Sequence, residues 1–191
     1  MDWDKQFQSQ SEDPFFWIRQ SLRLKLAADL VGNAFTEALS SFKADPRAFF
    51  EQEQKTGRFT VEFDSFPVYV FLYGLAMENL AKGVLVSRNP KHFSSGAKLT
   101  HEVLPYVEEC GLALTDKRRA LLREVEEAIT WKGRYPTPKK LKNWQLRPGP
   151  YGNNHMPGAI SPDDQPELEA MYAELQQCLK AHAKKDDASK T

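Results

Sequence analysis

Apolar positions along the chain recur at the spacing of α-helices. Two adjacent stripes run between Pro14 and about Lys43, and the segment Phe66–Ser87 is apolar around nearly its whole circumference. Asp13–Pro14 and Asp45–Pro46 each set a capping carboxylate before a proline, an arrangement typical of a helix start. The pattern therefore predicts one helix from Pro14, a short one from Pro46 to Gln54, and a central one over Phe66–Ser87.

The first of these helices is expected to bury both of its stripes. One consists of Phe15, Ile18, Leu22, Leu26 and Leu30, and the other of Leu24, Ala28, Val31 and Phe35. Gly32 and Asn33 are expected to end or kink the helix before it resumes at Phe35, because glycine is a weak helix former.

A helix that is apolar all round must be surrounded by other helices. For the central helix we therefore expect near-complete burial of Leu72, Leu75, Ala76, Leu80 and Val84. Glu78, Asn79 and Lys82 interrupt its apolar run, which favours a core helix over a membrane span.

Three more helices are predicted after the central one. They run from Thr100 to about Cys110, from Thr115–Asp116 to Gly133, and onward from Ser161–Asp164. The alternating segment Phe59–Phe63 has no clear partner strand and is interpreted as an extended loop. The prediction is an all-α fold with one domain over residues 1–185 and a polar tail over 186–191.

Composition restricts the classes of function. A hydrophobic share of 41% supports a packed core, and 26 basic residues against 26 acidic ones exclude polyanion binding by bulk charge. Cys110 and Cys178 are far apart and form no metal-ligand motif. Their isolation and the polar first ten residues predict a cytoplasmic protein without a signal peptide or membrane segment.

The segment Gly133–Pro162 differs from the rest of the chain. It holds half of the 12 prolines, and no acidic residue occurs between Ala128 and Pro162. Such a segment is either a surface loop pinned by its aromatic side chains or an element that binds phosphates and bases. The candidate RNA- or nucleotide-binding residues are Arg134, Lys139, Lys140, Lys142, Trp144, Arg147 and Tyr151. Arg134 is the expected anchor, because its planar guanidinium suits phosphate.

Glu78 and Lys82 lie one turn apart on a helix that is otherwise apolar. They form either a buried structural ion pair or part of a functional groove together with Asn79. No zinc motif, phosphate-binding glycine loop or nucleophile elbow occurs, so neither a metal nor a cofactor is predicted.

Several short motifs resemble the HEPN-like helical domains of prokaryotes. They are Leu75-Ala76-Met77-Glu78-Asn79-Leu80-Ala81-Lys82, Leu99-Thr100-His101-Glu102-Val103, Glu109-Cys110-Gly111-Leu112 and Trp131-Lys132-Gly133-Arg134-Tyr135-Pro136. The resemblance covers roughly residues 66–138. It implies an antiparallel helical bundle that forms a homodimer. It also implies a role in toxin–antitoxin, phage-defence or RNA-processing systems, with a cognate antitoxin or a nucleotidyltransferase-like protein as partner.

Catalytic members of that family are metal-independent ribonucleases in which four to six residues separate an Arg from a His. Arg88 and His92 are separated by three residues, and Arg147 and His155 by seven, so neither pair matches. His101 joins Glu78, Asn79 and Lys82 as a candidate for a polar groove. The sequence therefore predicts an RNA- or nucleotide-binding module that is catalytically weak or inactive. The alternatives are a ribonuclease that uses Arg88 and His92, and a non-catalytic protein-interaction module.

Overall fold

The computed structural model describes residues 3–56, 65–93, 100–132, 147–148, 154–155 and 160–188. Seven α-helices lie in these described ranges: α1 (Trp3–Ser11), α2 (Pro14–Ala44), α3 (Pro46–Thr56), α4 (Phe66–Arg88), α5 (Val103–Glu109), α6 (Asp116–Glu127) and α7 (Gln165–Ala188). A π-helical turn, Ala128–Lys132, extends α6, and a 3₁₀ turn, Pro162–Asp164, precedes α7. Two residues each form β1 (Arg147–Pro148) and β2 (Asn154–His155), which pair antiparallel. The prediction of an all-α helical bundle is confirmed.

Local capping interactions account for four helix starts. At α3 the Asp45 carboxylate accepts the backbone N–H of Ala48 at 2.9 Å. The Asp13 carboxylate accepts the backbone N–H of Phe15 at 2.9 Å, and the Thr115 hydroxyl accepts that of Arg118 at 3.2 Å. At the start of the last helical segment, Ser161 and Asp164 cap each other's backbone N–H groups reciprocally. These starts are confirmed because they depend on neighbours in the sequence.

The helices α2 and α4 form the main interface of the bundle. The Ser21 hydroxyl donates to the Ala76 carbonyl at 2.7 Å, and the rings of Phe35 and Phe66 lie 4.8 Å apart. A residue near the start of α2 thus contacts the middle of α4, and a later residue of α2 contacts the start of α4, so the two helices run antiparallel. The predicted break at Gly32 is wrong: a Cβ there would lie 2.8 Å from the Tyr69 ring, and the glycine allows close approach within a continuous helix.

Helix α4 is the centre of the core, with contacts to α2, α5, α6 and α7. Burial is confirmed for Ala76, Leu80 and Val84 but is wrong for Leu72 and Leu75, which are half-buried. These two leucines lie on one face of α4, together with the exposed Val68, and pack at the margin of the core. The surrounding helices therefore leave one side of α4 partly open.

By length and composition, α4 also qualifies as a candidate membrane span among the described helices. In the folded chain, 72% of its most apolar window is buried inside the protein. Core helices of this kind pass the same test as spans, so the pattern carries little weight for a membrane.

The predicted burial of both stripes on α2 is wrong for one of them. Leu24, Ala28, Val31 and Phe35 pack in or against the core. One residue of the other stripe, Ile18, is half-buried beside Gly83. Its other members, Phe15, Leu22, Leu26 and Leu30, are 73%, 51%, 63% and 66% exposed, and we call these four residues the α2 stripe. The reason is geometric: α2 lies against α4 on one side only, and a helix buries only the face that another element covers.

One further helix and one helix start also differ from the prediction. Helix α1 was not predicted because its sequence is polar, and it docks through the Trp17 indole N–H, which donates to the Ser11 carbonyl at 3.0 Å. Helix α5 begins at Val103 rather than at Thr100. Helix α7 continues through Ala188, into the segment predicted to be a polar tail. The Phe59–Phe63 prediction lies outside the described residues.

One arginine joins α6 to α7. The Arg118 guanidinium donates to Glu167 at 2.5 Å and to both carboxylate oxygens of Glu174 at 2.9 and 3.0 Å. Hydrogen bonds to Glu174 and Glu167 raise the pKa of Arg118 above its usual value. Several hydrogen bonds from one planar guanidinium fix the orientation of the two helices as well as their distance, so Arg118 positions α7 relative to the start of α6.

Candidate functional site

A buried ion pair joins two residues of α4. Lys82 Nζ is 2.5 Å from Glu78 Oε1, and both side chains are only 4% exposed. The ammonium also donates to the Thr100 carbonyl at 3.1 Å and lies 5.2 Å from the ring centroids of Trp17 and Tyr106. Partners from α2, α4 and the start of α5 thus compensate the loss of hydration on Lys82.

His101 connects this pair to the surface. Its Nδ1 lies 3.0 Å from Glu78 Oε2, and its side chain is 47% exposed. Because a carboxylate paired with an ammonium only accepts, we assign the proton of this contact to Nδ1. The buried carboxylate therefore orients the imidazole, an arrangement that fixes both the ring plane and its tautomer.

The segment before α5 is extended for reasons that the local sequence does not reveal. The Lys82 ammonium donates to the Thr100 carbonyl, and the Tyr106 hydroxyl accepts the Thr100 N–H at 3.2 Å. The Glu126 carboxylate from α6 accepts the Leu104 N–H at 2.7 Å. This N–H lies in the first turn of α5 and has no acceptor within its own helix, so Glu126 supplies one. These contacts place His101 ahead of α5 and not within it, which corrects the predicted start at Thr100.

A groove of about 610 Å³ opens beside His101. It is lined by His101, Glu102, Leu104, Pro105, Arg123, Glu126, Glu127 and Thr130. Glu126 caps α5 through the Leu104 N–H, and Glu102 accepts the Thr100 hydroxyl at 3.1 Å. The groove thus combines an apolar wall, an oriented imidazole and the guanidinium of Arg123.

Of the four residues predicted to form a polar groove, three come together, and among these only His101 lines the groove. Glu78, Lys82 and His101 meet in one cluster. The Asn79 amide donates instead to the Leu75 carbonyl of its own helix at 2.7 Å. The site also includes Arg123, Glu126 and Trp17, which were not predicted from the sequence. Arg123 and Glu127 are four residues apart on one helix face, which offered a weak signal, but nothing local indicated Trp17.

Arg88 and His92 lie at the other end of α5, about 10 Å along the helix axis from its first turn. The Arg88 guanidinium donates to the carbonyls of Glu109 and Cys110 at 3.2 and 2.8 Å and so caps the end of α5. His92 Nε2 is 3.6 Å from Glu109, and its ring meets the Phe93 ring edge-on at 4.5 Å. Arg88 therefore has a structural role that occupies its guanidinium.

Most of the predicted RNA-binding residues lie outside the described part of the chain. These are Arg134, Lys139, Lys140, Lys142, Trp144 and Tyr151. For Arg147 only the backbone is described, in β1. The π-helical turn that carries Thr130 on the groove wall ends at Lys132, directly before this segment.

Among the described residues, no group of three or more His, Cys, Asp or Glu side chains is placed to hold a metal ion. Comparison with protein-family models, with curated protein sequences and with solved structures finds no match. The resemblance to HEPN-like domains therefore stays a prediction based on the motifs.

Burial raises the pKa of Glu126 above its usual value, although the N–H groups of Leu104 and Val103 partly offset this. A raised folded-state pKa means that the ionised carboxylate opposes folding, and that this cost disappears as pH falls through the folded pKa. We expect Glu126→Gln, which retains an acceptor oxygen, to raise the Tm at pH 8 and to change it less at pH 4.

Differential scanning fluorimetry at both pH values measures this effect. Glu51→Gln, at an exposed position on α3, is the control and should show no such pH dependence. A fall in the Tm of Glu126→Gln at both pH values would instead mean that the negative charge itself holds the start of α5.

Proposed function

We propose that this chain is a HEPN-like helical module that binds a short single-stranded RNA segment or a nucleotide without cleaving or otherwise converting it. The main supporting observation is that Glu78 orients His101 at the edge of a groove whose wall leads into the basic aromatic segment. Thr130 lines that groove, and Lys132 begins the run of cations two residues later. The groove and the candidate phosphate contacts are therefore adjacent along the chain.

The chemistry of the groove limits what it can hold. Its glutamates disfavour a long polyanion, because carboxylates repel phosphates. The apolar wall of Leu104 and Pro105, beside the imidazole of His101, suits the flat face of a base. In this proposal the base occupies the groove, and the phosphates contact Arg134 and the lysines that follow it.

The positions of Arg88 and His92 support the proposal that bound RNA is not cleaved. Arg88 is bound to two carbonyls at the end of α5, and the groove lies at the other end of that helix. The ribonuclease alternative requires RNA cleavage that His92→Ala abolishes. A cytoplasmic defence, toxin–antitoxin or RNA-processing system, with an antitoxin or a nucleotidyltransferase-like partner, is the setting that the resemblance implies.

The direct test is fluorescence anisotropy with a labelled single-stranded RNA of about ten nucleotides, titrated at several salt concentrations. Combined replacement of Lys139, Lys140 and Lys142 by Gln should weaken binding. It should also flatten the log–log salt dependence by about two units, because each phosphate contact on a single strand contributes about 0.7. His101→Gln should weaken binding with little change in that slope.

A matched control removes the same number of charges elsewhere. Lys43, Arg47 and Lys55, on and beside α3, become Gln in one variant and should leave both affinity and slope unchanged. Equal losses in the two triple variants would mean diffuse attraction only. For Arg134→Ala, unchanged RNA affinity with a large fall in Tm would make Arg134 a structural clamp and would contradict its role as an anchor.

The interaction-module alternative is favoured by a different observation, the exposed α2 stripe. A row of large apolar side chains in water marks a surface that another protein covers. The two functions use separate surfaces, so a single chain can have both.

A further inference from the structure

The α2 stripe lies on one helix face, where Leu22, Leu26 and Leu30 follow one another turn by turn and Phe15 lies about two turns before Leu22. Helical spacing places Phe15, Leu22, Leu26 and Leu30 within an arc of about 80° and over about 22 Å of helix. Each is more than half exposed, whereas single apolar residues scattered over a surface require no explanation. Burial of these four side chains against an apolar surface would be strongly favourable.

Three polar side chains share this face with the stripe. Arg19 lies between Phe15 and Leu22, and Asn33 and Glu37 follow Leu30 on the same face. All three are exposed. Within the part of the chain that the structure describes, neither Arg19 nor Glu37 has an ion-pair partner. The stripe is therefore positive towards its start and negative towards its end.

We propose that the α2 stripe is the surface through which two copies of this chain pair, with their α2 helices antiparallel and centred on Leu26. In this register Leu22 lies level with Leu30 of the second copy. Arg19 lies level with Asn33 of the second copy and about one turn from its Glu37. A parallel pair would place Arg19 beside Arg19 and Glu37 beside Glu37, so charge complementarity selects the antiparallel arrangement.

The available area is sufficient for a stable pair. From Phe15 to Glu37 the face is about 33 Å long. A groove of about 500 Å³ borders it, and Ala173 and Gln176 of α7 line the far side of that groove and widen the surface. Each copy can thus contribute on the order of 600 Å², which reaches the roughly 1,200 Å² total of a specific interface. This inference depends on the stripe alone and is independent of the nucleotide proposal.

Sedimentation velocity at tens of micromolar should give twice the chain mass of 21.8 kDa for the unchanged protein. Leu26→Glu should raise the dissociation constant at least about 30-fold, because it sets two like charges together at the centre of the apolar contact. Val68→Glu, at an exposed apolar position on α4, is the control and should leave the constant unchanged. A monomeric unchanged protein at these concentrations overturns the proposal.

The register is tested by exchanging the two charges, and circular dichroism confirms that each variant is folded. Arg19→Glu and Glu37→Arg should each weaken the pair about tenfold, and the variant that carries both should regain most of the affinity. In the parallel arrangement each residue faces its own copy, so reversing a charge still leaves two like charges together. Neither single variant should then weaken the pair, and the combined variant should have no loss to recover. Absence of recovery in the combined variant would overturn the antiparallel register.

Discussion

Glu78→Gln is expected to lower the free energy of unfolding by about 3–5 kcal/mol, since it leaves the buried ammonium of Lys82 without its counter-charge. Lys82 is 4% exposed and cannot recover its hydration without local opening of the core. For a chain of this size the loss corresponds to a fall in Tm of about 6–20 °C. Urea denaturation followed by circular dichroism measures it.

Two further variants separate the ion pair from simple packing. The combined Glu78→Gln/Lys82→Met variant should regain more than half of the loss, because it removes both buried charges. Glu51→Gln, in the exposed i, i+4 pair with Arg47, should change the Tm little, because solvent screens that pair. A loss with Glu78→Gln that is as small as that with Glu51→Gln would mean that Lys82 is hydrated in solution.

Gly74→Val should lower the free energy of unfolding by about 3 kcal/mol, through overpacking. A Cβ at Gly74 would lie 2.6 Å from both Ile129 Cγ2 and Val125 Cγ1. Both neighbours are β-branched and hold one rotamer in a helix, so neither can move aside cheaply. Helix α4 would therefore have to shift away from α6 and its π-helical turn.

A double-mutant cycle with Ile129→Ala tests this explanation. The two changes together should cost less than the sum of their separate costs, because the truncated side chain makes room. Gly111→Ala is the contrasting control: Gly111 has φ +88° and open space around it, so the cost of about 1 kcal/mol comes from the backbone. Additive costs for Gly74→Val and Ile129→Ala would exclude overpacking.

The sequence indicated three residues of the cluster, Glu78, Lys82 and His101, but not their geometry. Glu78 and Lys82 could be paired from the sequence because i and i+4 positions share a helix face. His101 joins them only because Lys82, Tyr106 and Glu126 hold Thr100–Glu102 extended, and those partners come from three different helices. Asn79 shows the converse: its sequence position beside Glu78 does not bring its amide to the cluster.

The α2 stripes show the same limit in the fold. Their spacing predicts a helix correctly, yet Leu22 and Leu24 are equally apolar, and only the first is largely exposed. Which stripe is covered depends on where α4 and α7 lie, and a residue's own neighbours in the sequence carry no information about that. The expected near-complete burial of Leu72 and Leu75 is wrong for the same reason, because it depends on how completely other helices surround α4.

By itself the sequence determined the all-α class, the capped helix starts at Asp13, Thr115 and Ser161, and the position of the central helix. These features follow from interactions within a few residues, or from a period that one segment carries alone. Tertiary structure alone decided which face of α2 is exposed, that Arg88 caps α5, and that Glu78 orients His101 beside a groove. Each of these contacts joins residues from separate helices, so its free energy exists only once those helices have packed.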